Sequence, residues 1–120
     1  MTEVTVEEGY VRIRLVGINK IFALKSEFEI PFDSIDSVEY VPELKTSDYL
    51  NWYSFKIGTA LPGIVAEGTF FTHEGKLFVN MRQGKEGLVL HLIGDEYQAV
   101  ILEVTDAKHV YQQIRTALYQ

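Results

Sequence analysis

The fold is decided by residues 56–82, which read KIGTALPGIVAEGTFFTHEGKLFVNMR. Leu61-Pro62-Gly63-Ile64 suits a type II turn, because proline presets φ at the second position and glycine accepts the positive φ of the third. His73-Glu74-Gly75 suits a three-residue loop in which Gly75 takes the left-handed conformation of a bulge. The residues after each turn alternate with the period of a strand. The stretch therefore predicts a long strand, a tight hairpin and a returning strand with one buried face.

Apolar alternation continues in both directions from this hairpin. On the N-terminal side it predicts one strand over residues 4–15 with a bulge at Gly9. A short helical piece of about two turns is expected near residues 18–22, too short to be stable without packing. Two more strands are expected at residues 28–32 and 35–41.

The C-terminal side predicts two strands and a helix. Residues 88–93 are apolar on both faces, which is typical of a central strand, and residues 99–104 form the returning strand. The sequence predicts Asp106 as the N-cap, because its carboxylate can accept hydrogen bonds from the first free amides of a helix. That helix is expected to run to Leu118 and to pack by one apolar stripe, formed by Val110, Ile114, Ala117 and Leu118.

Composition limits the class of protein. The chain has 120 residues, 47% of them hydrophobic, and a formal charge of −6, so one domain over residues 1–120 is expected. The acidity disfavours nucleic acids and anionic membranes as partners. There is no cysteine, which excludes disulfides and thiolate chemistry. The N-terminus lacks the pattern of a secretion signal and no apolar run reaches the about 20 residues of a membrane span, so a soluble, cytoplasmic protein is expected.

Two clusters of side chains are candidate binding residues. Tyr49–Phe55 is the densest aromatic stretch, and it forms either a core strand or lid, or a binding patch that includes Trp52 and Tyr53. Arg12 and Arg14 share one strand face. They either pair with nearby glutamates on a solvated surface or capture anions together with Lys20 and Lys25.

Catalytic and metal-binding motifs are not found in the sequence. Gly58 and Gly63 have the spacing of a phosphate loop, but Ile64 and Val65 follow where a lysine and a hydroxyl are needed. Neither a Gly-x-Ser-x-Gly elbow nor a His-Glu-x-x-His helix occurs. The three histidines, at positions 73, 91 and 109, have no close partner of the kind that metal sites use. A protein without enzymatic activity, cofactor or metal is the favoured interpretation.

The order of elements resembles the pleckstrin-homology-like (PH-like) domains, and within them the small bacterial ones. The resemblance is carried by Gly58-Thr59-Ala60-Leu61-Pro62-Gly63, by Gly68-Thr69-Phe70, and by Val104-Thr105-Asp106 leading into a helix with Ile114 and Leu118. It implies a mainly β fold of about seven antiparallel strands, in two sheets that close into a barrel capped by the C-terminal helix. Relatives that bind phosphoinositides use basic residues near the first strand connection. Here glutamates follow these positions, so phosphoinositide or membrane binding is not expected.

Two functional hypotheses follow from this sequence. The first is a binding or assembly module that recruits a protein or peptide to a free sheet edge beside the C-terminal helix, or pairs with another copy of itself. The alternative is a barrel that binds a small apolar ligand or a lipid headgroup. An interior filled by the four phenylalanines at positions 28, 32, 70 and 78 would count against that alternative.

Overall fold

The computed structural model describes residues 2–15, 27–49 and 53–119, with side chains described from residue 56 onward in the last range. The described strands are β1 (Thr2–Val6), β2 (Tyr10–Leu15), β3 (Glu27–Pro31), β4 (Ile35–Val41), β5 (Tyr53–Leu61), β6 (Val65–Thr72), β7 (Gly75–Arg82), β8 (Gly87–Leu92) and β9 (Tyr97–Glu103), and the helix α1 spans Ala107–Leu118. The mainly β class and the C-terminal helix are confirmed. About seven strands were expected, whereas nine are described; the helical piece expected near residues 18–22 lies outside the described residues.

A three-stranded antiparallel sheet has the order β1-β2-β3. The single strand predicted over residues 4–15 is wrong, because the chain reverses at Glu8 and Gly9 and places Val6 opposite Val11. Gly9 has a φ of 89°, which a bulge in a continuous strand and a hairpin turn both allow. The sequence could not distinguish them, because apolar residues alternate on both sides of the turn.

The other sheet has six strands in the order β4-β8-β9-β7-β6-β5. Its pairs are antiparallel except for β7 with β9, which run parallel. This pair contradicts the expectation of antiparallel strands only. It arises because β9 inserts between β7 and β8: it turns back antiparallel on β8 and therefore runs in the direction of β7. Neighbouring apolar alternation cannot reveal such an insertion.

The two sheets do not close into a barrel, so that part of the prediction is wrong. In the described residues β1 and β3 are the outer strands of the smaller sheet, and β4 and β5 are those of the larger one. Closure would require the outer strands to pair with one another. Each outer strand instead keeps one side that no described strand covers.

The first hydrophobic core lies between the sheets and beneath α1. The smaller sheet contributes Val11, Ile13, Leu15, Phe28 and Ile30; the larger one contributes Ile35, Phe78, Leu88, Leu90, Tyr97, Val100 and Leu102. The Phe28 and Phe78 rings meet edge to face with centroids 4.6 Å apart. Burying each such side chain contributes about 2 kcal/mol to folding.

A second core covers the opposite face of the larger sheet. It is formed by Leu44, Ala66, Phe70, Val79, Met81, Val89, Ala99 and Ile101. Leu88 and Leu90 enter the first core while Val89 enters the second. This confirms β8 as a central strand, because a strand covered on both faces must be apolar on both.

The helix α1 packs Val110 and Ile114 of its predicted stripe into the first core together with Ala107, while Leu118 is partly buried against that core and Ala117 is half-buried. Its start is where the sequence placed it, but Asp106 does not cap it. Asp106 is left-handed, with φ 61° and ψ 38°, and its side chain makes no capping hydrogen bond. The Ala107 N–H donates instead to Glu86 Oε1 at 3.0 Å. A side-chain cap needs extended backbone at that position, so a distant carboxylate takes the role.

One of the two predicted turns is confirmed in detail. The Ile64 N–H donates to the Leu61 carbonyl at 2.9 Å, and Gly63 has a φ of 81°. The other turn is shorter than predicted: Thr72 pairs with Gly75, so the loop is His73-Glu74 and Gly75 begins β7. Among the described residues, no helix has the length and apolarity needed to cross a membrane.

Candidate functional site

Two backbone hydrogen bonds fix which way the outer strands of the smaller sheet point. The Glu7 N–H donates to the Tyr10 carbonyl at 2.9 Å, so positions 7 and 10 form a hydrogen-bonded pair. Such pairs alternate with pairs whose N–H and C=O groups point away from the neighbouring strand. With the register of β1 on β2, the outward-pointing residues of β1 are Thr2, Val4 and Val6.

The same reasoning applied to β3 gives a protected edge. The Phe32 N–H donates to the Gly9 carbonyl at 3.1 Å. The outward-pointing residues of β3 are therefore Glu27, Glu29 and Pro31. Proline lacks the N–H that a further strand would need, and the two exposed glutamates add negative charge beside the edge. Strand β3 is thus poorly suited to pair with another chain.

Strand β1 contains no proline, and its one glutamate, Glu3, lies at a position whose backbone groups point toward β2. Of its outward-pointing residues, Thr2 is only 2% exposed and its backbone groups are covered, whereas Val4 and Val6 are half-buried, and no described strand pairs with them. The register of β1 with β2 is regular over all five residues, whereas register shifts interrupt β4 after Ile35 and β5 after Tyr53. A regular, unpaired edge is the template that an added strand requires.

A groove beside α1 continues from the end of β1. It has a volume of about 450 Å³ and is lined by Val6, His109, Gln112, Gln113, Thr116 and Ala117. The helix residues at positions 109, 112, 113 and 116 are exposed, and Val6 is half-buried. Amide and hydroxyl groups can donate and accept hydrogen bonds without adding fixed charge. The groove therefore suits the uncharged polar side chains of an extended segment.

The structure confirms that the predicted arginines share the outer face of β2, where they face glutamates. Arg12 lies 3.3 Å from Glu27 and 3.7 Å from Glu7. Arg14 Nη2 donates to Glu3 Oε2 at 3.0 Å. Exposed pairs of this kind contribute about 0–1 kcal/mol each. Each arginine is already paired with a glutamate carboxylate, and an incoming anion would have to displace that carboxylate.

The other predicted binding residues are not described in full. Lys20, Lys25 and Trp52 lie outside the described residues, as does the side chain of Tyr53, whose backbone begins β5. The Tyr49 side chain is described and packs on the second core. Burial there, with the nearby charges of Glu39 and Asp48, raises the pKa of Tyr49 to about 12.

Sequence reasoning did not identify an acidic cleft beside β3, the outer strand of the smaller sheet opposite β1. The cleft, of about 600 Å³, has walls that include Glu27, Glu29, Asp95 and Glu96. The buried residues Phe28 and Tyr97 also line it. Alternation in EFEIP and the run DEY were the available signals, but only the fold brings them together.

The histidines at positions 73, 91 and 109 are all exposed and lie on a turn, a strand and the helix. In the described ranges, no three histidine, aspartate or glutamate side chains are grouped to hold a metal ion.

Comparison of the chain with protein-family models, with curated proteins and with solved structures found no match.

Proposed function

We propose that this protein is a non-enzymatic interaction module that binds an extended protein segment along the outer edge of β1, beside α1. The observation that carries the proposal is the outward direction of the backbone of Val4 and Val6, fixed by the register of β1 on β2. A strand added there would form main-chain hydrogen bonds that supply affinity whatever its sequence. The neighbouring groove would supply selectivity, because side chains of the added strand reach α1.

The chemistry around this edge favours a protein over other partners. The formal charge of −6 opposes nucleic acids and phosphoinositide headgroups, and the two described arginines of the predicted cationic face lie against glutamates. Because main-chain recognition requires a peptide backbone, an extended protein segment is the partner whose chemistry fits.

The PH-like resemblance remains a proposal of lesser weight. Two sheets and a C-terminal helix packed on them support it. The parallel pair of β7 with β9 and the open sheets count against it. Binding at β1 does not depend on it, since the free edge is a property of the described strands themselves.

The alternative, a carrier of small apolar ligands, has less support. Phe28 and Phe78 fill the space between the sheets, where such a ligand would need room, and Phe32 is partly buried against the same core. Phe70 is fully buried in the second core. The cleft of about 600 Å³ beside β3 is lined by Glu27, Glu29, Asp95 and Glu96, whose charges disfavour an apolar ligand.

Substitution at the edge of β1 tests the proposal. Peptides selected from a random phage-displayed library on the parent protein should bind Val4→Pro about tenfold or more weakly, because proline removes an outward N–H from the ladder. The same change costs no hydrogen bond to β2, since that N–H points away from it. Binding is measured by calorimetry, and folding of each variant by far-ultraviolet circular dichroism.

Two variants act as matched controls. Glu29→Pro removes an outward N–H from β3, and Val4→Thr keeps both the N–H and the shape of the side chain at β1. Both should bind the selected peptides as the parent does. Equal binding by folded Val4→Pro, or a library that yields no peptide above an unrelated folded protein, would contradict the proposed function.

A further inference from the structure

The edge of β5 has the features needed to pair with a second copy of the chain. We infer that two copies associate through antiparallel pairing of their β5 strands about a two-fold axis at Gly58. This edge belongs to the larger sheet, so it is separate from the edge of β1 and takes a different occupant. The six-stranded sheets of both copies would join into one continuous sheet with β5 against β5 at its centre.

One backbone hydrogen bond fixes which residues of β5 point outward. The Leu61 carbonyl accepts from the Ile64 N–H at 2.9 Å, so the backbone of Leu61 points toward β6. Inward-pointing and outward-pointing residues alternate along a strand. The backbone of Lys56, Gly58 and Ala60 therefore points away from β6, toward the side that no described strand covers.

This edge of β5 is accessible and regular. Gly58 is partly exposed, and because glycine has no side chain, the exposed surface belongs to its backbone. The register shift of β5 lies at its start, and from Phe55 to Leu61 every residue is paired with β6 in order. The strand contains no proline and no acidic residue, so it lacks two of the devices that protect edge strands from pairing.

Backbone direction and charge select the register of the two copies. Outward-pointing residues can hydrogen-bond only to outward-pointing residues. An axis at Gly58 pairs Gly58 with its counterpart and Lys56 with Ala60 in both directions, so all three outward N–H groups of each copy donate. An axis one residue to either side pairs only two of them, because the next outward positions are the register shift at Ser54 and Pro62, which has no N–H. An axis at Lys56 would also place like charges directly opposite each other.

The side chains at this contact are compatible with the register. Ile57 would lie opposite Thr59, and β-branched residues suit neighbouring strands. On the other face, the small Ala60 leaves room for the stem of Lys56. Leu61, which is 50% exposed, would face position 55 of the second copy and lose part of its contact with water. Apolar burial would thus add to the main-chain hydrogen bonds.

The expected complex is transient. One pair of strands buries less than the about 1,200 Å² of a standard stable interface, so dimers should form only at high protein concentration. Peptides selected for the edge of β1 should not compete with the second copy, since the two occupy different sheets.

Cysteine cross-linking tests the register directly, because the chain contains no cysteine. Directly opposed residues of a non-hydrogen-bonded pair lie about 4.5 Å apart at Cα, within disulfide range. An equimolar mixture of Ile57→Cys and Thr59→Cys proteins should therefore form the mixed disulfide dimer about tenfold faster than either protein forms its own dimer. An axis at position 57 or 59 would instead oppose identical cysteines, so each protein alone reports a competing register. Mass spectrometry separates the mixed from the like dimers.

Two proline variants make the result specific to β5. Adding Ala60→Pro to both cysteine proteins should remove the preference for the mixed dimer, because it removes an outward N–H without costing a hydrogen bond to β6. Adding Val4→Pro, which changes the edge of β1, should leave the preference unchanged. Circular dichroism checks that each variant is folded.

A matched pair of charges at position 60 gives a second test that does not depend on proline. Ala60→Lys would face Lys56 of the second copy and should slow the mixed cross-linking, whereas Ala60→Glu would face the same lysine with the opposite charge and should not. Equal rates in all samples, faster cross-linking of either cysteine protein alone, no dimer at high protein concentration, or equal effects of the two charges would overturn the inference. Peptide binding at β1 would be unaffected in those cases, so this failure is distinguishable from failure of the proposed function.

Discussion

Alanine at Gly58 is expected to lower the free energy of unfolding by about 3 kcal/mol or more. A Cβ placed there would lie 2.1 Å from the Glu67 carbonyl oxygen and 2.8 Å from the Cα of Gly68. Gly58 pairs with Gly68 across β5 and β6, and its φ of 148° is one that other residues rarely adopt. Neither backbone can move away without breaking the ladder that carries Phe70 into the second core. Urea unfolding followed by circular dichroism measures the loss.

Gly9 offers a control for this prediction. Its φ is 89°, but a Cβ would meet no atom within 4 Å. Gly9→Ala should therefore cost only the strain of the left-handed backbone, about 1 kcal/mol. If Gly58→Ala is no more destabilising than Gly9→Ala, the backbones of β5 and β6 do not approach as closely at Gly58 as described.

The second large effect is expected at Glu103, a buried carboxylate at the end of β9. It is 5% exposed, and its Oε1 accepts from the backbone N–H and from Nε of Arg82, each at 2.9 Å. Burial opposes ionisation, but the hydrogen bonds and charge of Arg82 outweigh it and hold the pKa of Glu103 below its ordinary value of 4.5. Glu103→Gln should lower the free energy of unfolding by about 2 kcal/mol at neutral pH, because these charge-assisted bonds weaken.

The pH dependence has a definite sign. The pKa of Glu103 is lower in the folded state than in the unfolded state. Its ionised form therefore contributes its full stabilisation at pH values above the unfolded-state pKa, and this contribution is lost as the pH falls through the folded-state pKa. The difference in free energy of unfolding between the parent and Glu103→Gln should therefore become smaller below pH 4.5. Glu3→Gln, which affects an exposed pair with Arg14, should stay within about 0.5 kcal/mol of the parent. If this difference in free energy of unfolding stays constant at acid pH, Arg82 does not stabilise the ionised form of Glu103.

Local chemistry was enough to predict the features that depend on few residues. Pro62 and Gly63 specify their turn because each has a backbone preference that few residues share. The stripe of Val110 and Ile114 specifies the buried face of α1, and the apolar run at β8 specifies a strand covered on both sides. In each case the residues that decide the outcome are neighbours in sequence.

Features that depend on distant residues could not be read in this way. The insertion of β9 beside β7 leaves no mark on either strand, and Glu86 caps α1 across the fold without any signal at Asp106. The same limit applies to the candidate site. A free edge beside the helix could be expected, but the choice of β1 required the register that directs Val4 outward and Pro31 to the protected edge.

Amide hydrogen exchange along β1 tests the free edge most directly. In dilute protein, the Val4 and Val6 amides point outward and should exchange fast, while the Glu3 and Thr5 amides, which point toward β2, should exchange slowly. Saturation with a selected peptide should slow the amides of Val4 and Val6 and leave those of Glu3 and Thr5 unchanged. Slow exchange at Val4 and Val6 in the dilute protein, or no change there when the peptide binds, would contradict the assignment of β1 as the interaction edge.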